Sequence, residues 1–211
     1  MTLTPAARSL FSERESSPDT NPESAFWRSA PKISFSYDTY AKPLCGLETE
    51  VRSRWTVDHL YLLFTCAYDT LNLKPSPQTE TETNELWNWD VAEVFLGSKF
   101  DRIHLYKEFE VSPQGEWVDV DVDLSQPNHE MGWVWSCSFE SAARIEAGCR
   151  TWYASMRIPF AAIDQRPAVA GNVLRANFCR IQGLDRRLIA WQPTMSPTFH
   201  VPAAFGLLVL E

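Results

Sequence analysis

The sequence predicts an all-β protein, an antiparallel sandwich or barrel. Three observations carry this. Apolar and polar residues alternate with period two along most of the chain, Gly, Pro and Asn punctuate the runs at short intervals, and no helical periodicity separates them. The missing helices exclude Rossmann and TIM-barrel architectures, which need one between successive strands.

Taken in order, residues 1–24 are rich in Ser, Thr, Pro and Glu and read as a flexible arm. The folded domain, 25–211, starts near Phe26 and Trp27. A strand is expected at 47–57, and Leu60, Leu62, Phe64, Cys66 and Tyr68 share one face of the next. Residues 70–85 (TLNLKPSPQTETETNE) form a long polar loop, a length that is often functional. In 91–96, Ala92, Val94 and Leu96 oppose Val91, Glu93 and Phe95. In 104–111, Leu105, Phe109 and Val111 point inward and His104, Tyr106, Glu108 and Glu110 outward. In 117–123, Val118, Val120 and Val122 oppose Trp117, Asp119, Asp121 and Asp123. Further strands are expected at 133–140, 150–158, 173–181, 187–192 and 205–210, with single helical turns at Phe160–Ile163 and near Glu85. No internal repeat is visible.

With 211 residues the chain can bury one large core as a single domain. Its net charge of −8 and lack of a basic patch exclude nucleic acid and anionic membranes as expected partners. Five scattered cysteines without close spacing argue against zinc; Cys66, Cys137 and Cys179 read as small apolar residues inside strands. Nine Trp among 13% aromatics is a high number, which raises an aromatic ligand platform as a reading beside core and rim packing. No signal peptide or membrane-spanning run is seen. The expected compartment is therefore the cytoplasm by default, or the exterior if a leader has been lost, and the expected state is a monomer.

Four constellations carry chemistry. Leu86-Trp87-Asn88-Trp89-Asp90 leads into Val91-Ala92-Glu93, which sets an indole face at a loop–strand junction beside a carboxylate. An indole packs against the axial C–H bonds of a pyranose, and a carboxylate accepts its hydroxyls in charge-assisted bonds. Glu108 and Glu110, two apart, share a strand face that Glu93 can join; three such acids suit sugar acceptors, calcium ligands or a glycosidase acid pair, beside the commoner reading of a solvated sheet face. Asp119, Asp121 and Asp123 form a third row, which needs solvent or a cation to relieve its repulsion and lacks the Gly and Glu of an EF-hand. The fourth lies near the C-terminus, where Arg180 sits in an apolar strand and Trp191, Phe199 and His200 follow. Nucleophile elbows, phosphate loops and HExxH are absent.

The ordered set Phe26-Trp27-Arg28, Leu60-Tyr61-Leu62-Leu63-Phe64, Leu86 to Phe95, Tyr106 to Gly115, Met156-Arg157-Ile158-Pro159, Asn177-Phe178-Cys179-Arg180 and Phe199 to Gly206 resembles the family 9 carbohydrate-binding modules over about residues 22–211. The resemblance implies a two-sheet antiparallel β-sandwich of jelly-roll type that binds carbohydrate without cutting it. It also implies two aromatics that clamp a terminal sugar, polar contacts from adjacent strands, and calcium ions that brace loops. Trp87 matches the first aromatic and Glu93 an acidic sugar contact, while Phe199 stands where a second Trp is expected. Glu108 and Glu110 fall at contact positions where amide or basic groups are usual. The Trp87 loop then faces the Phe199 loop, with Arg180, Trp191 and His200 closing the far side. The 70–85 loop and Asp119, Asp121 and Asp123 supply oxygens for calcium. Three rival readings remain open: a haem-binding DOMON-like sandwich drawing on Met131, Met156, Met195, His104 or His200, a glycosidase using Glu93 with Glu108 or Glu110, and a stand-alone scaffold with a vestigial site.

Overall fold

A computed structural model describes residues 4–127, 135–137 and 139–211. They run through β1 (Ala6–Phe11), β2 (Lys32–Phe35), β3 (Thr49–Trp55), β4 (His59–Ala67), β5 (Val91–Gly97), β6 (Leu105–Val111), β7 (Trp117–Asp123), β8 (Glu140–Glu146), β9 (Thr151–Pro159), α1 (Phe160–Ile163), β10 (Val173–Gln182), β11 (Arg187–Ala190) and β12 (Gly206–Leu210). Short 3-10 turns at Leu86–Asn88 and Pro202–Ala204 interrupt the loops. The fold is all-β, and both expected helical turns are present. β2 and β8 were not anticipated. Of the strand expected at 133–140, residues 133, 134 and 138 lie outside the described residues, as does Met131; 135–137 and 139 are not in a strand, and Glu140 begins β8.

Hydrogen bonds join the strands in one path, β7-β6-β5-β10-β12-β1-β3-β4-β9-β8, with β11 beside β10 and β2 beside β3. This corrects two expectations. Residues 1–24 do not form a free arm, because Ala6–Ser9 of β1 pair in parallel with Leu207–Leu210 of β12. Leu10 and Phe11 then pair in parallel with Arg54 and Trp55 of β3. The strand path is thus continuous through β1, whose pairings are parallel, not antiparallel, and its two halves face each other across the core as a sandwich. The physical reason is edge protection: a strand that passes from one half to the other covers an open edge of each. Its buried residues, Ala7 and Ser9, are too small and polar to register as a hydrophobic run. At the far ends of the path the sheet nearly closes, with the ring of Phe109 on β6 5.3 Å from Phe139 beside β8.

The main core lies between the two halves. Leu60, Leu62, Phe64 and Cys66 of β4 and Trp152, Ala154, Met156 and Ile158 of β9 face Ala92, Val94 and Leu96 of β5, with Phe109 and Phe178. Phe64 and Phe178 meet edge to face at 6.1 Å. The face of β6 expected to be solvated is instead covered. Val91, Phe95, Tyr106, Val118, Val120, Val122, Cys179 and Ile181 make a second apolar layer under Phe199 and Phe205. Strands buried on both faces lose clean alternation, and every residue of β5 is buried.

The other half is covered by the N-terminal segment. Trp27, fully buried, packs with Tyr61, Leu63 and Tyr153, and its indole N–H donates to the Asp19 carbonyl at 2.8 Å. Backbone N–H groups of Ser16 and Asp19 donate to Tyr61 Oη and Ser155 Oγ. Glu15 fastens the segment: it accepts from Thr56, Tyr61 and Arg157 and lies 2.9 Å from His59 Nδ1.

Deleting residues 1–11 should lower unfolding free energy by about 3–6 kcal/mol, the order expected for losing several ladder hydrogen bonds. Urea unfolding checks this, and an unchanged midpoint would mean that β1 is dispensable. Burial alone would raise the Glu15 pKa, but hydrogen bonds from Thr56, Tyr61 and Arg157 and the nearby His59 outweigh it and hold the group at about 2. A depressed carboxylate stabilises the fold above its ordinary value of 4.5, and that contribution disappears as pH falls toward 2. Melting temperature should therefore drop across this window, and Glu15→Gln should flatten that part of the profile. The effect is modest because the side chain is 42% exposed.

Candidate functional site

Outside the second apolar layer a pocket of about 140 Å³ opens between Trp87, Glu93, Glu108, Arg186, Phe199 and His200, with Ile181, Leu188, Pro197 and Thr198 completing its wall. Its floor is dictated by strand register. Glu93 on β5 pairs with Glu110 on β6, and Phe95 with Glu108, so all three acids project from the same sheet face. All are buried, with 2, 4 and 0% of Glu93, Glu108 and Glu110 exposed. One carboxylate oxygen from each lies within 4.8 Å of the others. Burial, and then the Glu108 charge, push Glu93 well above the usual carboxylate range; Arg186 pulls it back.

The walls have separate supports. Trp87 sits in the 3-10 turn Leu86–Asn88, immediately before β5. Asp90 holds that turn: its Oδ1 accepts the Gly183 N–H at 2.6 Å, and its Oδ2 accepts from the Asn72 backbone at 3.2 Å and from Gln182 Nε2 at 3.1 Å. Burial raises Asp90 to about 6 against those backbone hydrogen bonds and the Arg180 and Arg187 charges. Gly183 turns at φ +78°, and a Cβ there would lie 2.7 Å from the Arg187 guanidinium, so the β10–β11 turn requires glycine. The same turn carries Arg186, whose Nη1 donates to the Trp87 carbonyl at 2.8 Å. Opposite, His200 Nδ1 lies 2.6 Å from Tyr106 Oη, and its ring stands edge-on to Phe95 at 5.4 Å. Phe199 is buried against Phe95 at 6.2 Å.

Of the residues singled out from sequence, Trp87, Glu93, Glu108, Phe199 and His200 line this pocket, and Glu110 lies beside Glu93. Arg180 and Trp191 do not close its far side. Arg180 alternates with Cys179 and Ile181, so it points away from the pocket toward the core, where it donates to Thr49 Oγ1 at 3.2 Å, the Ala67 carbonyl and Gln182. Trp191 packs on Phe178 at 5.4 Å and lies against Gly206. The Asp row does not gather on one ion. Asp119 is buried and accepts from Cys137 Sγ at 2.9 Å, Asp121 pairs with Lys107 at 2.6 Å, and Asp123 accepts from Ser125 Oγ at 2.6 Å. Those carboxylates do not fit a calcium brace. Of the haem candidates, Met156 is in the main core and Met195 is 66% exposed on a loop. Sequence reading missed Arg186, Leu188 and Thr198. The Gly183 turn was the available signal, but nothing local shows that it folds back onto Trp87.

The sequence matches the carbohydrate family 9 binding domain-like family over residues 19–211. The chain belongs to that family. A solved family 9 carbohydrate-binding module from Caldicellulosiruptor kristjanssonii in complex with cellotriose superposes with a TM-score of 0.70 at 13% identity, over 98% of this chain and 94% of that one. The module from the same organism in complex with glucose gives 0.67 at 15%, over 97% and 96%. A Bacteroides uniformis protein gives 0.76 at 15%, over 99% and 100%. At these identities the likeness establishes a shared fold. No curated protein matches the sequence.

Replacing Arg180 in this family 9-like domain by Met should cost about 3–5 kcal/mol of stability, because Thr49, Ala67 and Gln182 lose their buried partner. Chemical denaturation measures it. A small change would return Arg180 to the list of pocket residues.

Proposed function

We propose that the chain binds a carbohydrate at the Trp87–His200 pocket without catalysing its cleavage. The observation that carries this reading is one pocket in which an indole borders two buried carboxylates. A pyranose presents C–H bonds to an aromatic face and hydroxyl donors at its edge, and this lining offers both complements. Aromatic stacking on Trp87 supplies affinity, and Glu93 and Glu108 accept hydroxyls. A pocket of about 140 Å³ suits a single sugar unit at a chain end better than the middle of a chain. Family membership and the cellotriose and glucose complexes of the Caldicellulosiruptor kristjanssonii module support this reading.

The arrangement argues against glycoside hydrolysis. A glycosidase needs two carboxyl groups on opposite sides of the scissile bond. Here Glu93, Glu108 and Glu110 rise side by side from neighbouring strands and form a floor.

Calorimetric titration with glucose and cello-oligosaccharides, preceded by a glycan array, tests the proposal. Trp87→Ala should weaken binding by about 1–3 kcal/mol, the range for a well-packed aromatic anchor. The circular dichroism spectrum should stay unchanged, since Trp87 is half-buried at a turn. Equal affinity in the variant would move the site elsewhere, and unfolding would make Trp87 a core residue.

A further inference from the structure

We infer that Glu93, Glu108 and Glu110 form a binding site for one hard divalent cation at the floor of the pocket. The inference begins from distances. One oxygen from each residue lies within 4.8 Å of the other two. Oxygens bound to one ion at about 2.4 Å span about 5 Å or less, so the three are already spaced for a shared centre. No rearrangement of β5 or β6 is needed, because cross-strand register itself sets the spacing.

A second, separate observation comes from Glu93. Its side chain is 2% exposed, and its Oε1 is shielded from solvent with no hydrogen-bond donor among the described residues. A carboxylate oxygen in that condition is costly unless a proton or a cation meets it. Arg186 does not fill the role, since it is exposed and donates to the Trp87 carbonyl and Asn88 Oδ1. Asp119 also has one buried oxygen without a donor among the described residues, but Asp119, Asp121 and Asp123 turn to separate partners, Cys137, Lys107 and Ser125, and do not bring three oxygens together as the glutamates do.

The donor set decides the kind of ion. Three carboxylates with no imidazole or thiolate select calcium, magnesium or manganese over zinc or copper. Entry is available, because Glu93 and Glu108 border the pocket. The ion's remaining positions then face the cavity, where water or vicinal hydroxyls can complete its shell. That last role rests on the carbohydrate reading; binding of the ion does not.

The test uses the full chain stripped with chelator and titrated, without sugar, with calcium, magnesium and manganese chlorides by calorimetry. Terbium luminescence excited through tryptophan gives a second readout. The expected result is saturable binding of one ion, weakened about tenfold or more in Glu110→Gln, because affinity follows ligand charge. Asp121→Asn should bind as the parent does. Absence of saturable binding to the parent at millimolar ion overturns the inference, whatever the variants do. Equal affinity in Glu110→Gln and Glu93→Gln overturns it as well. Ion binding without any sugar binding supports the inference and overturns only the carbohydrate proposal.

Discussion

A buried polar network at one end of the sheet ties the molecule together. Arg180 on β10 reaches across the core to Thr49 at the start of β3 and to the Ala67 carbonyl at the end of β4. Gln182, two residues on, donates to the Thr70 carbonyl and to Asp90. One half of the sheet is thereby bound to the other by groups that cannot be satisfied by water once the core has formed. Asp90 extends the network outward, fixing both the turn that carries Trp87 and the turn that carries Arg186. The pocket therefore inherits its geometry from the core, and its two most exposed elements rest on buried hydrogen bonds.

The second determinant is coverage. Both faces of β4, β5 and β10 are dry, one against the main core and the other beneath a separate lid. On the pocket side the lid is the segment holding Phe199, His200 and Phe205. On the opposite side it is the N-terminal segment holding Glu15 and Trp27. Carboxylates that would titrate normally on a bare sheet are carried into a poorly hydrated layer, which is why Glu93 lies far from its ordinary pKa.

Legibility in the sequence followed the physics of each element. β4, β5, β6 and β7 were evident because alternating side chains report a sheet face wherever one side is decisively apolar. β1 was not, because Ala7 and Ser9 are held by backbone pairing and close packing. β8 is similar: Ser141, Ala142 and Ala143 are small, half-buried residues on an edge strand. Trp87, Glu93 and Glu108 could be read locally, since they fall within a short motif or on one strand face. Arg180 was misassigned because a charged residue in an apolar strand looks functional until its partners, more than 100 positions away, are known. Arg186 was missed for the same reason in reverse. Its partner, Trp87, lies 99 residues back.

The parallel pairing of β1 with β12 also has a mechanical meaning. In this register Ala6 lies beside Leu207 and Ser9 beside Leu210, so the chain enters at one end of the pair and leaves at the other. Tension applied through Ala6 and Leu210 pulls the two strands lengthwise past each other and loads their hydrogen bonds together. An antiparallel pair gripped at a shared end would open one bond at a time. The same contact that closes the sheet thus acts as a shear clamp against force along the polypeptide.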